Sequence, residues 1–113
     1  MNDGTANDTL SSLFDTIERR RRSPMEGSYT CYLFGKGLDK ILKKVGEECA
    51  EVIVAAKNGD NDATIREICD LLYHVLVLMS AQDMEWSAVE AELEKRRAKI
   101  GNLKEVRQTD HNT

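Results

Sequence analysis

Two apolar stripes of helical period meet at a single break, and that break constrains the fold more than any other feature of the chain. From Leu38 to about Lys57, the residues Leu38, Ile41, Leu42, Val45, Cys49, Val52, Ile53 and Ala56 fall on one continuous face. Asn58-Gly59 ends the run, because the left-handed residue that closes a helix is usually Gly or Asn. Asp60, Asn61 or Asp62 can then cap a following helix, expected over roughly 62 to 82. Helices joined by so short a turn form an antiparallel hairpin. The second of them is apolar on nearly every side. Ile65, Ile68, Leu72, Val75, Leu76 and Met79 cover one face, and Leu71, Tyr73, Val77 and Leu78 cover much of the rest. Such a helix is buried nearly all round. In a chain of 113 residues that burial calls for a second subunit, so a homodimer is expected.

The remaining segments also read as helical. Residues 1 to 7 are polar and expected to be disordered. Asp8 or Thr9 can cap a first helix whose apolar positions, Leu10, Leu13, Phe14 and Ile17, keep the i, i+3, i+4, i+7 pattern. It closes in Arg19, Arg20, Arg21 and Arg22 before Ser23-Pro24. Cations there oppose the negative end of the helix dipole; a phosphate contact by one of them is the sharper alternative. Ser28 or Thr30 can cap a short helix ending near Gly35 or Gly37, with a strand over 29 to 34 as the alternative. Ser87 and Glu90 match a capping box for a last helix over about 87 to 99. A domain over 8 to 99 and a polar tail over 100 to 113 complete the plan. The fold class is all-α, an antiparallel bundle of about four to five helices.

Bulk properties exclude several functions. The net charge of -4 argues against nucleic acid as a partner. No apolar h-region opens the chain, and the run from Leu71 to Met79 is far short of the ~20 residues that span a bilayer, so no membrane association and a cytoplasmic location are expected. Three cysteines without framework spacing argue against a disulfide scaffold. Cys49 and Cys69 fall on apolar faces and read as small core residues; Cys31 has no evident catalytic partner.

The acids are where chemistry enters. "GEECAEV", residues 46 to 52, puts Glu47, Glu48 and Glu51 beside the apolar stripe. At ~100° per residue, Glu48 and Glu51 share one edge of that stripe, one turn apart. Glu47 lies further round, one turn before Glu51. On the next helix Glu67 and Asp70 repeat the i, i+3 spacing and share a line with His74. Each pair lies about two turns from the Asn58-Gly59 break, so the pairs can face each other at one height. Converging carboxylates beside a core repel one another and resist desolvation. A divalent cation resolves both problems, and an all-oxygen ligand set favours Mg²⁺, with Mn²⁺ as the alternative, over Zn²⁺. Mg²⁺ held this way grips phosphates, polarises a phosphoryl oxygen and activates a water. The bland alternative is a solvated acidic face, paired at i, i+3 and i, i+4 with Lys40, Lys43 and Lys44.

Glu48-x-x-Glu51 followed by Glu67-x-x-Asp70 resembles the ExxE…ExxD pattern of the MazG-like all-α nucleotide pyrophosphohydrolases. The words "SYTCYLFGKGLDKILKKVGEECAEVIVAAKNGD" and "EICDLLYHVLVLM" are more similar still to the phosphoribosyl-ATP pyrophosphohydrolase branch, over about residues 10 to 97. The resemblance implies a dimeric, Mg²⁺-dependent enzyme of histidine biosynthesis. It would cleave phosphoribosyl-ATP to phosphoribosyl-AMP and pyrophosphate. Carried over position by position, Glu48, Glu51, Glu67 and Asp70 would hold the metal, and Glu47 would be a further ligand or orient the attacking water. A small anionic nucleotide needs basic and polar partners, for which Lys36, Lys40 and Lys44, then Tyr29, Thr30 and His74, are the candidates. For the lysines a solvated face is the competing reading, and for His74 a satisfied structural histidine. In some organisms this domain is fused to a cyclohydrolase; 113 residues leave no room for one, so a stand-alone form is expected. Two rival functions stay open. One is a house-cleaning nucleoside triphosphate pyrophosphohydrolase of the same superfamily. The other is a non-catalytic helical dimerisation module.

Overall fold

The computed structural model describes residues 8 to 100, with side-chain burial through residue 99. Five helices follow in order: α1 (Thr9–Arg22), α2 (Tyr29–Lys36), α3 (Leu38–Lys57), α4 (Asn61–Ala81) and α5 (Trp86–Ile100). The described residues contain no strand, and the fold is an all-α bundle. Expectations for residues 1 to 7 and 101 to 113 lie outside the described residues.

Local chemistry sets the helix ends. Asp8 stands at the N-cap of α1 with its backbone carbonyl accepting from the Ser12 N–H at 2.9 Å, while its carboxylate makes no capping bond. Ser28 caps α2 with its hydroxyl oxygen accepting from the Cys31 N–H at 3.1 Å, which settles residues 29 to 36 as a helix rather than a strand. The corner into α3 is Gly37, whose φ of 96° suits a residue without Cβ. Gly59 closes α3 at φ 73°, and Asp60 opens α4 by accepting from the Ala63 N–H at 3.0 Å. The last helix starts at Trp86, so Ser87 lies inside its first turn and not at the cap where a capping box would put it.

Three of the four arginines at the end of α1 are engaged in structural contacts. Arg19 donates to the Thr16 hydroxyl at 3.2 Å, and Arg22 to Glu18 at 3.3 Å. Arg21 donates to Asp83 at 2.9 Å, which raises the Arg21 pKa and ties α1 to the turn after α4. A second tie lies deeper. The fully buried Ser80 hydroxyl donates to Glu18 at 2.6 Å, a charge-assisted bond in a poorly hydrated place.

The core joins all but the last helix: Phe14 and Ile17 of α1, Leu33 of α2, Ile41 of α3, and Leu76, Val77 and Met79 of α4. It does not extend along the whole hairpin. The α3 stripe divides, for Ile41 is buried while Leu38, Leu42 and Ile53 are exposed, Ile53 to 67%. On α4 only the C-terminal half is enclosed. Ile65 is 60% exposed, and Ile68 and Leu72 are also open. A single chain thus leaves part of α4 open, the part for which the sequence calls for a second subunit. The core placement of Cys49 and Cys69 is corrected: both are exposed. Their faces point away from the α3–α4 contact, and α1 and α2 cover only the other end of the hairpin.

Candidate metal and substrate site

The hairpin brings acids from its two helices together. One carboxylate oxygen from each of Glu48, Glu67 and Asp70 lies within 4.8 Å of the other two. The register explains this. Glu48 sits on the buried line of α3 with Ile41 and Ala55, each seven residues or about two turns away, and its carboxylate reaches Glu67 and Asp70 of α4. Glu48 is only 7% exposed, Glu67 is half-buried, and Asp70 stands at the open side. Oε1 of Glu48 and Oε1 of Glu67 are buried with no hydrogen-bond partner among the described residues. Buried carboxylate oxygens without donors are costly, the more so beside like charges. The donor set therefore fits a hard divalent cation, which takes oxygen ligands and offsets that repulsion.

Glu51 is placed differently. It is exposed and outside the group of three, and it lines an adjoining cleft with Val54, Ala55, Asn58, Ala63 and Glu67. Glu47 is exposed and pairs with Lys44, whose Nζ lies 3.3 Å from Glu47 and 3.7 Å from Glu48. Burial lowers the Lys44 pKa, but the Glu47 contact and the charges of Tyr29, Glu47 and Glu48 outweigh it, so the net shift is upward and the ammonium stays charged.

Beside the acids stands a polar aromatic cluster. His74, 5% exposed, has both ring nitrogens engaged. Nδ1–H donates to the Asp70 carbonyl at 2.7 Å, and Nε2 is 3.0 Å from the Tyr29 hydroxyl. With the proton on Nδ1, the neutral ring leaves Nε2 to accept from Tyr29. Tyr29 stacks between Tyr32 and Tyr73, with ring centres 5.9 Å and 6.2 Å away. Thr30 shares a hydrogen bond with Tyr73, whose burial raises its phenol pKa. Thr30 and His74 thus hold Tyr73 and Tyr29, while Tyr29 and Tyr32 are the exposed members. Lys36 lies over the Tyr32 ring at 5.9 Å, on the outer side of α2, and Lys40 is half-buried one turn before Lys44. Tyr73 is the residue that sequence reasoning left out. In "LLYH" it reads as one more apolar position, and only its place beside Tyr29 and Thr30 brings it to this cluster.

Fold and site together define an all-α bundle whose helical hairpin gathers three acidic side chains. Comparison with known proteins narrows this. The family model for phosphoribosyl-ATP pyrophosphohydrolase matches residues 10 to 97. A phosphoribosyl-ATP pyrophosphatase of Clostridium botulinum (strain Kyoto / Type A2) is 59% identical over 103 residues, covering 91% of this chain and 94% of the relative. The protein of that name from Clostridium acetobutylicum is 51% identical over 106 residues, 94% of this chain and 96% of its own. One from Bacillus cytotoxicus is 48% identical over 101 residues, 89% and 94% respectively. The chain belongs to the phosphoribosyl-ATP pyrophosphohydrolase family.

Proposed function

We propose that this protein is the Mg²⁺-dependent enzyme that hydrolyses phosphoribosyl-ATP to phosphoribosyl-AMP and pyrophosphate, the second step of histidine biosynthesis. The observation that carries the reading is the cluster of Glu48, Glu67 and Asp70 with its two unpartnered buried oxygens, in a chain of this family. Glu48, Glu67 and Asp70 hold the cation, and Glu51 serves from the adjoining cleft, where it lies beside Glu67. A bound Mg²⁺ supplies charge stabilisation at the phosphoryl oxygens and lowers the pKa of an attacking water.

The chain's own residues supply the rest. Glu47, exposed and paired with Lys44, would be a further ligand or orient the attacking water. Lys44 gives a positive charge for the polyphosphate, and Lys40 and Lys36 are further basic candidates. The Tyr29 hydroxyl is fixed by His74, and its ring gives a flat, exposed surface beside the acids. His74 and Thr30 position these groups from within. The pocket keeps Asp70 and Tyr29 in register because one imidazole is bonded to both.

The protein acts as a homodimer in the cytoplasm. Support for the dimer comes from Leu38, Leu42 and Ile53 on α3 and from Ile65, Ile68 and Leu72 on α4, all exposed on one chain. Large apolar surfaces of that kind mark interaction sites. No helix among the described residues is long and apolar enough to cross a membrane. The direct test is pyrophosphate release from phosphoribosyl-ATP with Mg²⁺, beside a panel of ordinary and modified nucleoside triphosphates. Turnover of phosphoribosyl-ATP alone is expected. Preference for another triphosphate would keep the site and overturn the pathway step.

A further inference from the structure

We propose that Lys44 and the divalent cation are alternative partners of Glu48: the ammonium gives up the carboxylate when the cation binds, and then engages the anionic substrate. The proposal rests on the metal reading given above.

The geometry points to exchange. Lys44 and Glu48 are four residues apart on α3, so the ammonium meets the carboxylate from one turn below. Nζ stands 3.7 Å from Oε2 of Glu48, a charge contact longer than a hydrogen bond. A side chain that oriented Glu48 for the metal would grip it at hydrogen-bonding distance. The other oxygen, Oε1, is buried and unpartnered, and the Glu48 carboxylate belongs to the group of three oxygens within 4.8 Å. A cation in that group would lie a few ångströms from the ammonium. Two cations so close repel strongly where water is partly excluded.

Lysine suits the exchange. Its charge is a compact, well-hydrated head on a flexible stem. The Lys44 side chain is 25% exposed, so it is not locked in place. Its other neighbour, Glu47, is exposed and lies 3.3 Å away, so the ammonium already reaches toward solvent. One charge would then serve twice: it steadies a buried carboxylate before loading and attracts the substrate afterwards.

Linkage sets the sign of the test. A resident cation that competes for Glu48 weakens metal binding, so its removal strengthens it. Mn²⁺ titration by calorimetry, on full-length protein without nucleotide, is the deciding measurement. Lys44→Met should bind Mn²⁺ at least about fivefold more tightly than wild type. Lys40→Met removes an equal charge one turn away and measures the general effect of charge. The KM of Lys44→Met for the triphosphate that is turned over should rise, so the two affinities move in opposite directions. Mn²⁺ binding equal to that of Lys40→Met would overturn the exchange. Binding weaker than wild type would also overturn it and make Lys44 a support for Glu48. Absence of binding in wild type but not in Lys44→Met would support exchange in its strongest form. Absence in every variant would remove the metal reading and this inference together.

Discussion

Helix α4 lives in two environments. Its C-terminal half, with Leu76, Val77, Met79 and Ser80, is buried beneath α1 and α2. Its N-terminal half has Ile65, Ile68 and Leu72 open to solvent, with Glu67 and Asp70 turned toward Glu48. An apolar stripe of helical period runs through both halves, although the C-terminal half is far richer in apolar residues. The difference shows that periodicity reports a face to be covered and is silent about what covers it. In the C-terminal half the cover is the chain itself. In the N-terminal half Ile65, Ile68 and Leu72 stay uncovered on a single chain, and the acids occupy the side that faces α3.

The largest expected effect separates the halves by function. Glu48→Gln or Asp70→Asn should lower turnover about a thousandfold or more, since metal-based charge stabilisation is worth several kcal/mol. Helical content, measured by circular dichroism, should stay unchanged because a repelling charge is removed. Activity kept in both variants would sink the site assignment. Leu76→Ala reverses the pattern: about 2–5 kcal/mol of stability should go, seen in urea unfolding. Ser80→Ala deprives Glu18 of its buried donor and should cost about 1–3 kcal/mol. Ile65→Glu leaves the covered half alone. It should weaken self-association roughly tenfold or more in sedimentation runs, as loss of a central contact does. A monomeric wild type would refute the dimer.

The smallest effect is a pH dependence at the junction of the halves. Burial raises the Tyr73 pKa above its usual 10.0, against the lowering by the Thr30 hydrogen bond. The folded state therefore holds this proton more tightly than the unfolded chain. The stability it adds is complete below pH 10 and is lost as the pH rises through the folded value. Tyr73→Phe should flatten that alkaline limb of a thermal-melt series; an unchanged slope would place the loss in other groups.

Much of this arrangement could be read before any coordinates. The five helices, the Gly59 turn, the Asp60 cap and the Ser28 cap follow from local backbone chemistry. The meeting of Glu48 with Glu67 and Asp70 follows from equal distances on either side of one turn. Two readings failed for one reason. Helical period puts Cys49 and Cys69 on apolar faces, yet both are exposed, because an apolar face marks what can be covered and not what covers it.

The amino-acid order by itself determined which segments are helices, where they stop and which side chains share a line, because those depend on neighbours within four residues. Tertiary structure alone decided the rotation of α3 against α4, which gave Glu48 to the cluster and Glu51 to the cleft beside it. It also decided that Tyr73 joins Tyr29 and Thr30, and that α1 covers one end of the hairpin and leaves the other bare. These outcomes depend on how whole faces pack across the bundle, and helical period fixes directions only around each axis.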